Sequence, residues 1–196
     1  MTVIIDYGAG NTQSVINALE RLGISYKLTS EIDCIMSASR IILPGVGHAA
    51  AAMQQLNQRG LVDVLQQYDK PLLGVCLGMQ LLYEHSEEGD TRCLGVVPGL
   101  VKRFSPQSGI KVPHMGWNDL QIEANHPLFE GLEITESMYF VHSYYAIFGD
   151  YTIGSCTYNF TFSAAIQYKN FYGVQFHPEK SGEKGQLILR NFCKNL

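Results

Sequence analysis

Cys76 lies in Gly74-Val75-Cys76-Leu77-Gly78, a G-x-C-x-G sequence where the apolar run Pro71 to Val75 stops and a helix-like pattern begins. A sulfur at that junction can serve as a nucleophile. The two glycines allow a tight turn without a Cβ clash, and the start of a helix offers free N–H groups and a positive dipole end that favour thiolate over thiol. Taken alone, the cysteine reads equally well as a small buried hydrophobe. A nucleophile also needs a base, and "GVQFHPEKSG" supplies one: His177 follows the apolar run Tyr172 to Phe176, with Pro178 and Glu179 after it. A carboxylate two residues beyond a histidine, across a stiffening proline, can fix the imidazole tautomer and stabilise the imidazolium. Cys76, His177 and Glu179 therefore make a candidate triad for acyl transfer. In "LPGVGH", Leu43 to His48, Gly45 and Gly47 allow a backbone N–H to face a developing oxyanion. The N–H of Leu77, immediately after the nucleophile, is the other expected donor.

These residues need a scaffold that brings strand ends together. The first half of the chain alternates short apolar runs, Val3 to Ile5, Ser25 to Thr29, Arg40 to Pro44 and Pro71 to Val75, with helical patterns. In "TQSVINALERLG" the residues Val15, Ala18, Leu19 and Leu22 follow helical spacing up to Gly23. Continuous apolar runs suit strands covered on both faces, which predicts a doubly wound parallel α/β sheet of the flavodoxin-like kind. The second half reads differently. "GLVKRF", "WNDLQI", "MYFVHSYYAIF", "YTIGSCTY", "SAAIQY" and "FYGVQF" are closely spaced strand patterns that suit antiparallel pairing. The chain closes on a helical face formed by Leu189, Phe192, Cys193 and Leu196. The expectation is a mixed central sheet flanked by helices, with a nucleophile elbow.

Composition bounds the rest. With 196 residues, 46% of them hydrophobic, and no repeat or linker-like tract, one domain spanning residues 1–196 is expected. A net charge of −4 excludes a basic nucleic-acid footprint. Five scattered cysteines without a C-x-x-C pair indicate neither a disulfide framework nor a metal site, and no cofactor motif stands out. No segment approaches the ~18 apolar residues of a membrane span, so a cytoplasmic location is expected.

"GVCLGMQ", "FHPEKSG" and "LPGVG" together resemble the class I, triad-type glutamine amidotransferases, and the likeness runs from Asp6 to the C-terminal helix. "DYGAGN", "KVPHMGWN" and "YFVHSYY" resemble those members that serve a (β/α)8-barrel cyclase in histidine biosynthesis. The resemblance implies glutamine hydrolysis through a thioester on Cys76, with His177 as base and then acid, Glu179 orienting it, and ammonia passed to the cyclase partner. It further implies that Gln80, Ser143 and Tyr144 hold the glutamine, and that Asn11, Trp117 and Lys180 face the partner. His142, in the same segment, reads as a buried histidine with its hydrogen bonds met, the backbone being enough for the substrate contacts. Thr12 departs from the family pattern, where an apolar residue is more usual. Three other readings compete: an amidotransferase subunit of another aminating synthase, such as one modifying a sugar; a thiol hydrolase of the same architecture; and a catalytically silent docking subunit. The intact triad argues against the last.

Overall fold

A computed structural model describes residues 1–8, 12–105 and 110–196. The first half runs β1 (Thr2–Ile5), α1 (Thr12–Arg21), β2 (Tyr26–Thr29), α2 (Ile32–Ser37), β3 (Arg40–Gly45), α3 (Ala49–Gln58), α4 (Leu61–Gln67), β4 (Leu72–Cys76) and α5 (Leu77–Leu81). It continues with β5 (Tyr83–Ser86), β6 (Thr91–Arg92), β7 (Val97–Arg103), β8 (His114–Ile122), β9 (Thr135–His142), β10 (Tyr144–Ile147), β11 (Thr152–Tyr158), β12 (Phe160–Tyr168), β13 (Phe171–Val174) and α6 (Gly182–Asn195).

The strands lie in the order β2-β1-β3-β4-β13-β12-β10-β7-β5-β6. Pairings from β2 to β13 are parallel, and those linking β13, β12, β10 and β7 are antiparallel. β11 leaves this path to pair with β8, which pairs with β9. The expected mixed sheet is therefore present, its main parallel part formed by β1 to β4 together with β13, and β5 adds a further parallel pairing with β7.

Side-chain alternation explains why the parallel strands read as unbroken apolar runs. Val3, Ile5, Ile41, Leu43 and Leu72 pack with Ile35, Leu56 and Leu65 of α2, α3 and α4. Their neighbours Ile4, Ile42, Leu73 and Val75 point the other way, onto Leu19 of α1 and Ile188 and Phe192 of α6. Each face is sealed by helices, so period-2 patterning leaves no polar side.

Local rules were overridden in a few places. The segment from His48 to Tyr68 forms two helices, broken at Gly60, whose φ of +65° is left-handed. The helical pattern after Cys76 stops at Leu81 because the next carbonyls are taken from outside. Those of Leu81, Leu82 and Tyr83 accept from the N–H groups of Leu94, Val96 and Gly95 at 2.9, 3.0 and 2.8 Å. A continuing helix needs those same acceptors. The chain turns instead into β5, which, like β6, has no alternating apolar signature. "MYFVHSYYAIF" likewise divides into β9 and β10 at Ser143.

Gly78 shows how closely α5 approaches the sheet, since a Cβ at that position would run into the carbonyl oxygen of Leu43. Both partners are main chain and neither can rotate aside. Gly78→Ala is therefore expected to destabilise the fold by about 3 kcal/mol or more, at the upper end of overpacking costs. Urea unfolding of the two proteins checks this, and a change below the usual scatter for surface substitutions would contradict it.

Candidate active site

Three glycines and one strained residue create the elbow. Cys76 ends β4 and caps α5 with φ +54° and ψ −111°, a conformation that costs a residue with a Cβ of order 1–3 kcal/mol. The surroundings impose it. A Cβ on Gly45 would stand 2.5 Å from the Gly78 nitrogen, and one on Gly74 would stand 2.6 Å from the Gly78 carbonyl carbon. With glycine at all three positions, α5 sits directly on β3 and β4 and the turn must be sharp. The sulfur is nearly buried; its thiol faces the Val141 carbonyl at 3.8 Å, and Gln175 Nε2 donates to it at 3.7 Å.

His177 follows β13 and is anchored through its backbone. Its N–H donates to the Tyr139 carbonyl at 2.9 Å, and Ser181 Oγ donates to its carbonyl at 2.7 Å. Its Nδ1 lies 2.8 Å from Glu179 Oε1, with both side chains only 2% exposed. Nδ1 must be the donor to a carboxylate, which leaves Nε2 as the proton-accepting atom. Among the described residues, Nε2 and Glu179 Oε2 have no hydrogen-bond partner. The imidazole's proton affinity reflects opposing influences. Burial lowers it, but Cys76 and Glu179 outweigh burial and push the pKa up to about 10. The Cys76 sulfur acts on the ring by charge, at a separation that leaves Nε2 without a hydrogen bond to it. A native pKa above the unfolded value near 6.5 means that protonated His177 stabilises the fold fully below 6.5, and that this stabilisation fades as pH rises through about 10.

A cavity of about 290 Å³ opens beside the sulfur. Its walls include Val46, Gly47, Cys76, Leu77, Gln80, Glu88, Ser143, Tyr144 and His177. Most of the residues expected from the sequence thus meet around one space. Glu179 stands behind His177, off the cavity wall, and Gly45 also stays away from it. Gly45 ends β3 opposite Cys76 and packs under α5, while Gly47, with φ +99°, reaches the cavity together with Val46. Gln80 lines the wall, but its amide is already engaged, donating to the Tyr144 carbonyl and to Gln175 Oε1, both at 2.9 Å. His142 is buried and hydrogen-bonded, as the sequence suggested.

Two polar side chains at the site, one beside the sulfur and one on the cavity wall, were not singled out from the sequence. Gln175 is fully buried beside the nucleophile, and a lone amide inside "GVQF" was the available signal, because buried polar groups need partners. Glu88 had no such signal: "SEEGD" reads as a solvated acidic run. In the fold, its carboxylate accepts from the Ala49 N–H at 2.7 Å and borders the cavity.

Of the proposed partner-facing residues, Trp117 is 58% exposed on β8, beside Met115 at 63%. Its ring meets Tyr139 edge-on at 6.0 Å, and Lys180 Nζ lies 5.9 Å from the same Tyr139 ring. Tyr139 thus joins Trp117 to Lys180. Asn11 lies outside the described residues. Among the described residues no cluster of side chains suits a metal ion, and no helix is long and apolar enough to cross a membrane.

Comparison with known proteins agrees with this geometry. Residues 3–196 match the family described as glutamine amidotransferase class-I. The chain is 46% identical over 194 residues to imidazole glycerol phosphate synthase subunit HisH of Mannheimia succiniciproducens, covering 99% of this chain and 100% of that protein. It is 48% identical to the HisH subunit of Xanthomonas campestris over 97% of this chain and 96% of that one. A solved structure of PurLQS from Thermotoga maritima superposes with a TM-score of 0.70 at 22% identity, covering 97% and 96% of the two chains, a likeness of fold. A cysteine elbow, a buried His-Glu pair and near-complete coverage by these relatives place the chain in the class-I glutamine amidotransferase family, among the HisH subunits of imidazole glycerol phosphate synthase.

Proposed function

We propose that Cys76, His177 and Glu179 hydrolyse glutamine to glutamate and ammonia, and that a (β/α)8-barrel cyclase receives the ammonia to make imidazole glycerol phosphate and an aminoimidazole carboxamide ribotide. The observation that carries this reading is the unpartnered His177 Nε2 beside the Cys76 thiol, with Nδ1 already committed to Glu179. Below its pKa of about 10, His177 already holds the proton that the Cys76 sulfur gives up, and the sulfur attacks the side-chain amide carbon of glutamine. The C–N bond then breaks, the proton passes to the leaving nitrogen, and a glutamyl thioester remains. His177 next takes a proton from water as its oxygen attacks the thioester, and glutamate leaves as the sulfur regains its proton.

The Leu77 N–H, in the first turn of α5, and a main-chain donor from the Val46–Gly47 segment would stabilise the oxyanion. Gln80 holds the Tyr144 carbonyl, so that Ser143 and Tyr144 can present their backbone to glutamine. The Glu88 carboxylate, at the wall of the cavity, suits the substrate ammonium group. Gly45 contributes by letting β3 approach the elbow. Trp117 and Lys180, joined through Tyr139, offer the apolar and cationic surface on which the barrel docks, and Asn11 belongs to the same proposed interface. The whole chain acts as one cytoplasmic domain. An acceptor other than the cyclase substrate has less support, because the relatives matched at near-complete coverage are synthase subunits of one kind.

A glutaminase that worked without its partner would release ammonia to solvent, so the isolated chain is expected to be slow. A hundredfold activation corresponds to about 2.7 kcal/mol, within reach of docking contacts plus ligand bound to the barrel. Glutamate release by the purified chain, with and without the barrel cyclase and its nucleotide substrate, tests this. Full turnover by the chain alone, unchanged by both additions, would favour a stand-alone thiol hydrolase.

A further inference from the structure

A line of polar groups, buried at both of its histidines, runs from β8 to the wall of the active-site cavity, and every hydrogen bond in it has only one possible direction. His142 Nδ1 lies 2.7 Å from the Tyr144 carbonyl oxygen, which can only accept, so His142 carries its proton on Nδ1. In the neutral ring Nε2 is then an acceptor, and His114 Nδ1, 3.0 Å away, must donate to it. His114 Nε2 in turn accepts from Asn118 Nδ2 at 3.2 Å. The same amide nitrogen donates to the Thr157 carbonyl at 3.2 Å, while Asn118 Oδ1 accepts from the Asp119 N–H at 2.8 Å. The Asn118 amide is thereby oriented by the main chain at both ends, and its orientation matches the histidine tautomers that the Tyr144 carbonyl requires.

The rings are held in place as well as oriented. His114 is stacked between Phe140 and Tyr158, with ring centroids 5.0 and 4.0 Å away, and His142 lies beside Phe104 and Phe162. Burial keeps both imidazoles neutral, lowering the pKa of His114 to about 4 and that of His142 to about 3. The relay ends where Gln80 Nε2 also donates, so the Tyr144 carbonyl is held by two buried donors at 2.7 and 2.9 Å.

We propose that Asn118, His114 and His142 form a hydrogen-bond relay of fixed direction that positions the Ser143–Tyr144 backbone against glutamine. All three are positioning residues, and the inference rests on the glutaminase reading above. Proton transfer belongs to His177, so the relay governs how well the cavity holds substrate and leaves the chemical step to the triad. Losing the His142 donor is expected to raise KM for glutamine about tenfold, the effect of one buried hydrogen bond, with kcat changed less than about threefold.

The experiment has two arms on the full chain. Long-range imidazole ¹⁵N spectra at neutral pH should show His114 and His142 both as the neutral Nδ1–H tautomer. An Nε2–H tautomer in either ring would overturn the relay. Glutaminase kinetics of the complex with the barrel cyclase should show the KM increase in His142→Leu and a smaller one in Asn118→Leu. Asn118→Leu sits at a half-buried position, so its result decides the matter if His142→Leu fails to fold. A fall in kcat with KM unchanged would refute the positioning role. Both tautomers in place in a wild-type complex that does not hydrolyse glutamine would support the relay's direction and refute the glutaminase reading instead.

Discussion

Cys76→Ser is expected to lower glutamine hydrolysis by about 10⁴-fold or more while leaving the fold intact, since a hydroxyl nearly matches a thiol in size but is a far weaker nucleophile near neutral pH. The elbow tolerates the swap because serine, like cysteine, has an unbranched Cβ and adds no contact beneath α5. The variant should still bind the barrel cyclase, and the assembled synthase should still work with ammonium salts, because the acceptor chemistry lies in the partner. Glutamate release and ammonium-dependent synthesis, measured on the same preparation, separate the two activities. Hydrolysis by the serine variant at a near wild-type rate would remove Cys76 from the nucleophile role.

His177→Asn should follow closely, at about 10³-fold or more, because the ring moves a proton in both halves of the reaction. Glu179→Gln should cost less, about 10²-fold, since Glu179 only orients and stabilises the ring. Its effect on pH dependence has a definite sign. Cys76 and Glu179 both raise the His177 pKa, so removing the carboxylate charge lowers it. The imidazolium that delivers a proton to the leaving nitrogen is then lost at lower pH, and the alkaline limb of kcat moves toward neutral. A pH–rate profile of Glu179→Gln in the complex reads this directly. An alkaline limb that stayed in place would mean that Glu179 does not set the His177 charge.

Much of this site was legible in the sequence because its parts lie on local signals. The elbow announces itself through glycines flanking Cys76 at the end of an apolar run, and His177 and Glu179 are two residues apart, so both halves of the triad can be read without knowing the fold. The parallel strands were legible for a related reason, since burial on both faces removes polar residues from the runs. Interactions between distant segments were not legible. The end of α5 depends on N–H groups from Leu94 to Val96 reaching carbonyls at Leu81 to Tyr83, and no pattern near Leu81 encodes that. Gly45 was expected to help form the oxyanion site, but its close approach to Gly78 becomes apparent only when β3 and α5 are brought together. Glu88 looks like a solvated acid until the turn between β5 and β6 is brought to the start of α3.

The backbone at Cys76 also restricts which nucleophiles this architecture can use. At φ +54° a side chain branched at Cβ would press its second substituent against the main chain, so threonine, chemically the nearest relative of serine, is disfavoured before its reactivity matters. Glycine would relieve the strain but bring no nucleophile. The turn therefore filters single-residue replacements by shape and leaves cysteine and serine as the reactive choices. A lineage that began with this elbow could exchange sulfur for oxygen in one step, but could reach a threonine hydrolase only by first rebuilding the approach of α5 to the sheet.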